Sequence, residues 1–92
     1  MHFVYVLYSP SLDQFYRGQT ADLQDRLHRH NLGQEKATQR GTPWNLCWYT
    51  IKDNRSQGVI LESKLKNLSR SKLINFMKKY DDFYFAESHP TV

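Results

Sequence analysis

Two tyrosines, an arginine and a glutamate occur in an order that suits chemistry at phosphorus. Tyr5 sits in the run Val4-Tyr5-Val6 and Tyr16 in Tyr16-Arg17-Gly18, while Arg26 and Glu62 follow on segments with helical patterning. In-line displacement at a phosphodiester needs a divalent cation, a cationic clamp on the phosphate and a group that orients or deprotonates the attacking water. A carboxylate, a guanidinium and two phenolic hydroxyls are candidates for these three tasks.

The elements that must position them can be read from periodicity. Residues 3–8, FVYVLY, predict a central strand covered on both faces, with Phe3, Tyr5 and Leu7 on one side and Val4, Val6 and Tyr8 on the other. The turn residues 9–13 lead into a returning strand over Gln14 to Gly18, which brings Tyr5 and Tyr16 towards each other. Thr20 is expected to cap a helix with Asp22 in its first turn, ending near Asn31 with Gly33 as its left-handed terminus. Leu23, Arg26, Leu27 and His30 share one face of that helix. From periodicity alone, Arg26 reads as an arginine at the edge of an apolar stripe. Residues 32–42 form a polar loop with Lys36 and Arg40, equally a solvated connector or a phosphate contact.

Pro43 is expected to open a third strand through Trp44, Leu46, Cys47, Trp48, Tyr49 and Ile51, in which Cys47 packs as a small hydrophobe. Asp53 or Asn54 caps a second helix over residues 56–67 with Leu61, Leu65 and Leu68 as its stripe, and Glu62 borders that stripe within reach of Lys66. Ser69 caps a third helix with Leu73, Ile74, Phe76 and Met77 inside and Lys72, Lys78 and Lys79 outside. The stretch from Asp81 to Val92 adds a short extended segment or frays.

A 92-residue chain makes one domain. Its formal charge of +4, pI near 9.3 and 14% aromatic content favour a polyanion over an acidic protein or a membrane as partner. One cysteine supports neither a disulfide framework nor the usual zinc site, and His28 and His30 point in different directions on a helix. With no apolar spanning run or cationic leader, a cytoplasmic location is expected.

The pieces VYVLYS, FYRGQTADLQDRLHRHN, PWNLCWYT and Glu62-Ser63-Lys64-Leu65-Lys66 resemble the GIY-YIG nuclease superfamily, in particular its small standalone members related to the N-terminal nuclease domain of the excision-repair protein UvrC. The resemblance implies an α/β fold of α+β type: a small three-stranded antiparallel sheet flanked by three helices in the order β-β-α-β-α-α. Residues 1–80 would be the nuclease domain and 81–92 a tail. Tyr5 and Tyr16 match the signature tyrosines, and Arg26 the arginine that holds the scissile phosphate. His30 matches a position that helps activate the nucleophile, and Glu62 the carboxylate that anchors one Mg2+ or Mn2+ ion.

The implied activity is hydrolysis of DNA, leaving a 5′-phosphate and a 3′-hydroxyl, in repair or recombination. Nucleic-acid contacts are expected from Arg17, Gln19, Lys36, Arg40, Lys66 and Lys72. The chain departs from the signatures at Val4, where glycine is usual, at Arg17, where an apolar residue is usual, and at Gln19, where some relatives have lysine. A weakly active binding module of the same fold and an accessory subunit of another nuclease are the alternatives, and a protein partner or homo-oligomer is left open.

Overall fold

In the computed structural model, which describes residues 1–80 and 83–85, six regular elements follow one another: β1 (His2–Ser9), β2 (Gln14–Thr20), α1 (Leu23–Asn31), β3 (Asn45–Lys52), α2 (Arg55–Lys66) and α3 (Arg70–Lys79). This is the expected α+β order. The sheet is antiparallel with β1 in the middle, between β2 and β3. Both alternating sets of β1 side chains are apolar, so the strand is stable only with both faces covered. Val4, Val6 and Tyr8 pack with Cys47, Trp48, Leu65, Leu73, Ile74 and Met77, beneath α2 and α3. Tyr5 and Leu7 pack with Trp44 and, at the margin, Tyr16, Leu23 and Leu27, beneath α1. Burial pushes the Cys47 thiol up to about 12, which fits a packing role.

Three local expectations are revised. The N-cap of α1 is Asp22, whose carboxylate accepts the Asp25 N–H; Thr20 ends β2, and its hydroxyl accepts the Asp22 N–H. β3 begins at Asn45, two residues beyond Pro43. The loop after α1 contains a 3₁₀ turn, Lys36–Gly41, that buries Thr38 and Gly41. Asn54 caps α2, Ser69 caps α3, and Gly33 adopts the positive φ expected after α1.

Residues 83–85 lie along the outer edge of β3. The Tyr49 N–H donates to the Phe83 carbonyl at 3.2 Å, the Phe85 N–H donates to the Cys47 carbonyl at 2.6 Å, and the Phe83 and Tyr49 rings stack 4.5 Å apart. The remaining expectations for 81–92 fall outside the described residues. Among the described residues, no helix is long and apolar enough to cross a membrane.

Candidate active site

Strand register places the two tyrosines together. Tyr5 pairs with Gly18 and Leu7 with Tyr16, so both tyrosines project from the α1 face of the sheet with ring centroids 6.3 Å apart. Gly18 is required sterically: a Cβ there would lie 2.5 Å from the Tyr5 hydroxyl and 3.0 Å from the Tyr16 ring.

The face of α1 that closes over the strands supplies His30 and Arg26. His30 Nε2 lies 2.8 Å from the Tyr5 hydroxyl, and Nδ1 lies 2.6 Å from Thr38 Oγ1. The Thr38 hydroxyl donates to the Glu35 carbonyl, which leaves its oxygen to accept from His30 Nδ1–H. The imidazole then carries its proton on Nδ1 and accepts the Tyr5 proton at Nε2. Burial lowers the His30 pKa, which favours this neutral form. The Tyr5 hydroxyl is shifted far upward, by burial first and by its proximity to Tyr16 second. Tyr5 and His30 are almost completely buried, so together they form the back of the site.

The front of the site is accessible. Arg26 Nε lies 3.5 Å from a Glu35 carboxylate oxygen, with both side chains about one-third exposed. Half-buried Tyr16 packs its ring against His30 at 5.1 Å and Trp44 at 6.2 Å. Burial raises the Tyr16 pKa, and the Glu62 carboxylate is the next cause. Glu62, on α2, is thus near enough for its charge to act on Tyr16, although α2 packs on the opposite face. Its side chain is 16% exposed and lies 3.7 Å from the Lys66 ammonium.

Residues 1–81 match the sequence model of the GIY-YIG catalytic domain. The chain belongs to the GIY-YIG family. It is 38% identical over 72 residues to a UPF0213 protein of Halobacterium salinarum, covering 77% of this chain and 92% of that one. It is 37% identical over 65 residues to a UPF0213 protein of Pediococcus pentosaceus, covering 70% and 68%. The solution NMR structure of a UPF0213 protein from Bacillus halodurans superposes with a TM-score of 0.58 at 25% identity, covering 97% of this chain and 98% of that one. Membership in the GIY-YIG family implies nuclease-type function as a class.

The sheet divides the remaining candidate residues of this GIY-YIG domain. Arg17 and Gln19 project from the α2 face, away from Tyr16: an Arg17 Nη donates to the Leu68 carbonyl at 3.1 Å, and Gln19 hydrogen-bonds His2. Lys72 is exposed in the first turn of α3, which packs on that same face. Lys36 and Arg40 are exposed on the 3₁₀ turn whose Thr38 touches His30. Lys66 is exposed and pairs with Glu62 on α2.

Sequence reasoning missed four residues. Glu35 holds Arg26, and Thr38 holds His30. The Trp44 ring packs on Tyr16 while its indole N–H donates to the Thr38 carbonyl, and Asn31 brackets Trp44 by accepting its backbone N–H and donating to its carbonyl. Trp44 and Asn31 carried a signal, an aromatic residue before β3 and an amide ending α1. Glu35 and Thr38 lie in an aperiodic polar stretch and carried none.

Proposed function

We propose that this protein is an endonuclease that hydrolyses DNA phosphodiester bonds with the help of one Mg2+ or Mn2+ ion. The observation that supports this reading is the convergence of Tyr5, Tyr16, His30 and Arg26 on one face of the sheet, with Glu62 on α2 near enough for its charge to act on Tyr16. Arg26 is the clamp on the scissile phosphate, where its donors meet the charge developing on the non-bridging oxygens. Tyr16 is the hydroxyl that meets the attacking water, because Tyr5 is completely buried and Tyr16 is not. Tyr5 and neutral His30 hold the Tyr16 ring from behind.

The donor set fits a hard cation. Among the described residues, no cluster of three or more histidine, cysteine or carboxylate side chains can enclose a metal, and Glu62 is a sheltered single carboxylate whose charge is felt at Tyr16. Magnesium keeps most of its waters and binds through one or two carboxylates together with substrate phosphates. Held by Glu62, such an ion would supply charge neutralisation at the leaving oxygen. With its charge so offset, Glu62 would no longer raise the Tyr16 pKa, and the hydroxyl would ionise more readily to the phenolate, the form that can take a proton from the attacking water.

The test is cleavage of labelled single-stranded, duplex, flap and branched DNAs with magnesium, manganese or chelator. Arg26→Ala and Glu62→Gln are each expected to lower cleavage by about a hundredfold or more while leaving the fold intact. A loss of only a few-fold in either would overturn the assignment. Binding without metal-dependent cutting would make the protein a nucleic-acid-binding module instead.

A further inference from the structure

Arg26 has a second side. Away from the tyrosines, it forms one wall of an open cleft of about 450 Å³, whose other walls include His2, Gln19, Thr20, Asp22 and Arg55. We propose that this cleft binds a backbone phosphate flanking the scissile one, with Arg55 as its principal cation. The proposal rests on the nuclease reading and extends its substrate path to a site built by α2.

The charge pattern points to an anion. Of the two arginines that line the cleft, Arg26 is held by Glu35, whereas Arg55 has no ion-pair or hydrogen-bond partner among the described residues. Arg55 is also the first residue of α2, whose first turn holds no acidic residue. A cation there faces the positive end of the helix dipole and is electrostatically unfavourable. Arg70 occupies the same position in α3, but Asp13 neutralises it at 2.9 Å. Arg55 thus keeps an uncompensated charge across the cleft from the proposed phosphate clamp. A local electrostatic conflict of this kind is expected where function requires it. The acid on the rim, Asp22, turns an oxygen to the Asp25 N–H at 3.0 Å.

The cleft is held in shape from below. His2 is 7% exposed and hydrogen-bonds Gln19, and its ring packs so closely against α2 that a Cβ on Gly58 would lie 2.6 Å from it. The first turns of α2 are thereby fixed against β1. Along β2, Thr20 is two residues beyond Gly18, about 7 Å at strand rise. A B-DNA strand carries one charge per roughly 3.4 Å of axis, so the cleft falls within one or two nucleotides of the bond at the tyrosines.

The test measures binding separately from cutting. Fluorescence anisotropy with end-labelled single-stranded and duplex oligonucleotides is recorded across a salt series for Glu62→Gln protein. The same background then carries Arg55→Ala, Arg55→Lys or Lys78→Ala, the last removing an exposed cation from α3. Arg55→Ala is expected to bind roughly three- to tenfold more weakly, with the slope of log K against log salt reduced by about one. Arg55→Lys should retain part of the affinity and Lys78→Ala nearly all of it. The Tm of Arg55→Ala should match or exceed that of the parent, since an unfavourable charge has gone.

Unchanged affinity and slope in Arg55→Ala, or an equal loss in Lys78→Ala, would overturn the subsite while leaving the nuclease reading in place. Failure of the Glu62→Gln parent to bind either DNA would overturn both.

Discussion

Arg26 cannot give the same donor to Glu35 and to a phosphate. The 3.5 Å contact engages Nε and places a carboxylate where a second anion must approach. Glu35→Gln keeps an acceptor there but removes the charge. Its expected effect is DNA binding tightened roughly three- to tenfold at low salt, with the difference shrinking as salt rises. Anisotropy titrations at two ionic strengths check this, and weaker binding at low salt would contradict it. The two tyrosines should separate in the opposite sense. Tyr5→Phe leaves the buried His30 Nε2 without its donor, at a cost of about 1–3 kcal/mol, seen as a Tm lowered by about 4–8 °C per kcal/mol. Tyr16→Phe, on a partly exposed hydroxyl, should change Tm little and cleavage much more. Thermal melts and single-turnover cleavage on the same two variants decide whether front and back are correctly assigned. The faces that carry both tyrosines and Arg26 were legible in the sequence from strand alternation and helical spacing. Periodicity alone made Arg26 an arginine at the edge of an apolar stripe, and its role came only from the family resemblance. Which tyrosine meets solvent was not legible, since burial depends on Gly18, Trp44 and α1 together.

At the level of elements, legibility followed periodicity. β1 announced itself as a central strand because six consecutive residues were apolar or aromatic, and α3 because Ser69 precedes a clear stripe. The start of α1 was misread because Thr20 and Asp22 are both good caps, and the sheet claimed Thr20 first by pairing it with Phe3. Removing the true cap with Asp22→Ala should destabilise the fold by about 1 kcal/mol. Urea unfolding with an unchanged m-value is the check, and no shift in midpoint would return the cap to Thr20. The 3₁₀ turn could not be read at all: at six residues with i to i+3 bonding, it has no amphipathic period to recognise. Its contribution to the site, Thr38 on His30 and Glu35 on Arg26, was hidden for the same reason. Arg17 was legible in direction, away from Tyr16, but not in destination, because the Leu68 carbonyl that receives it lies in the connection between α2 and α3 and depends on how the two helices pack on the sheet.

For the whole molecule, the buried back of the site couples protonation to stability. His30 has a pKa lowered by burial from an ordinary 6.5, so between its folded pKa and 6.5 the unfolded chain binds more protons than the folded one. Stability attributable to His30 therefore rises with pH through that window, is level above it, and is lost as pH falls below about 6.5. The loss has a structural meaning, because a proton on Nε2 removes the acceptor for Tyr5. Asp13 acts in a separate, lower window. Its hydrogen bonds from Arg70 and Tyr8 hold its carboxyl below 3.8, so its contribution is intact above that pH and disappears as pH drops through the folded value. Thermal melts from pH 8 to pH 3 should thus show two separate declines in Tm. In His30→Gln the first decline should flatten even though the variant starts from a lower Tm, and in Asp13→Asn only the second should change. A first decline of the same slope in His30→Gln would mean that a different group titrates there, and the neutral Tyr5–His30–Thr38 chain would no longer explain how the back of the site is held.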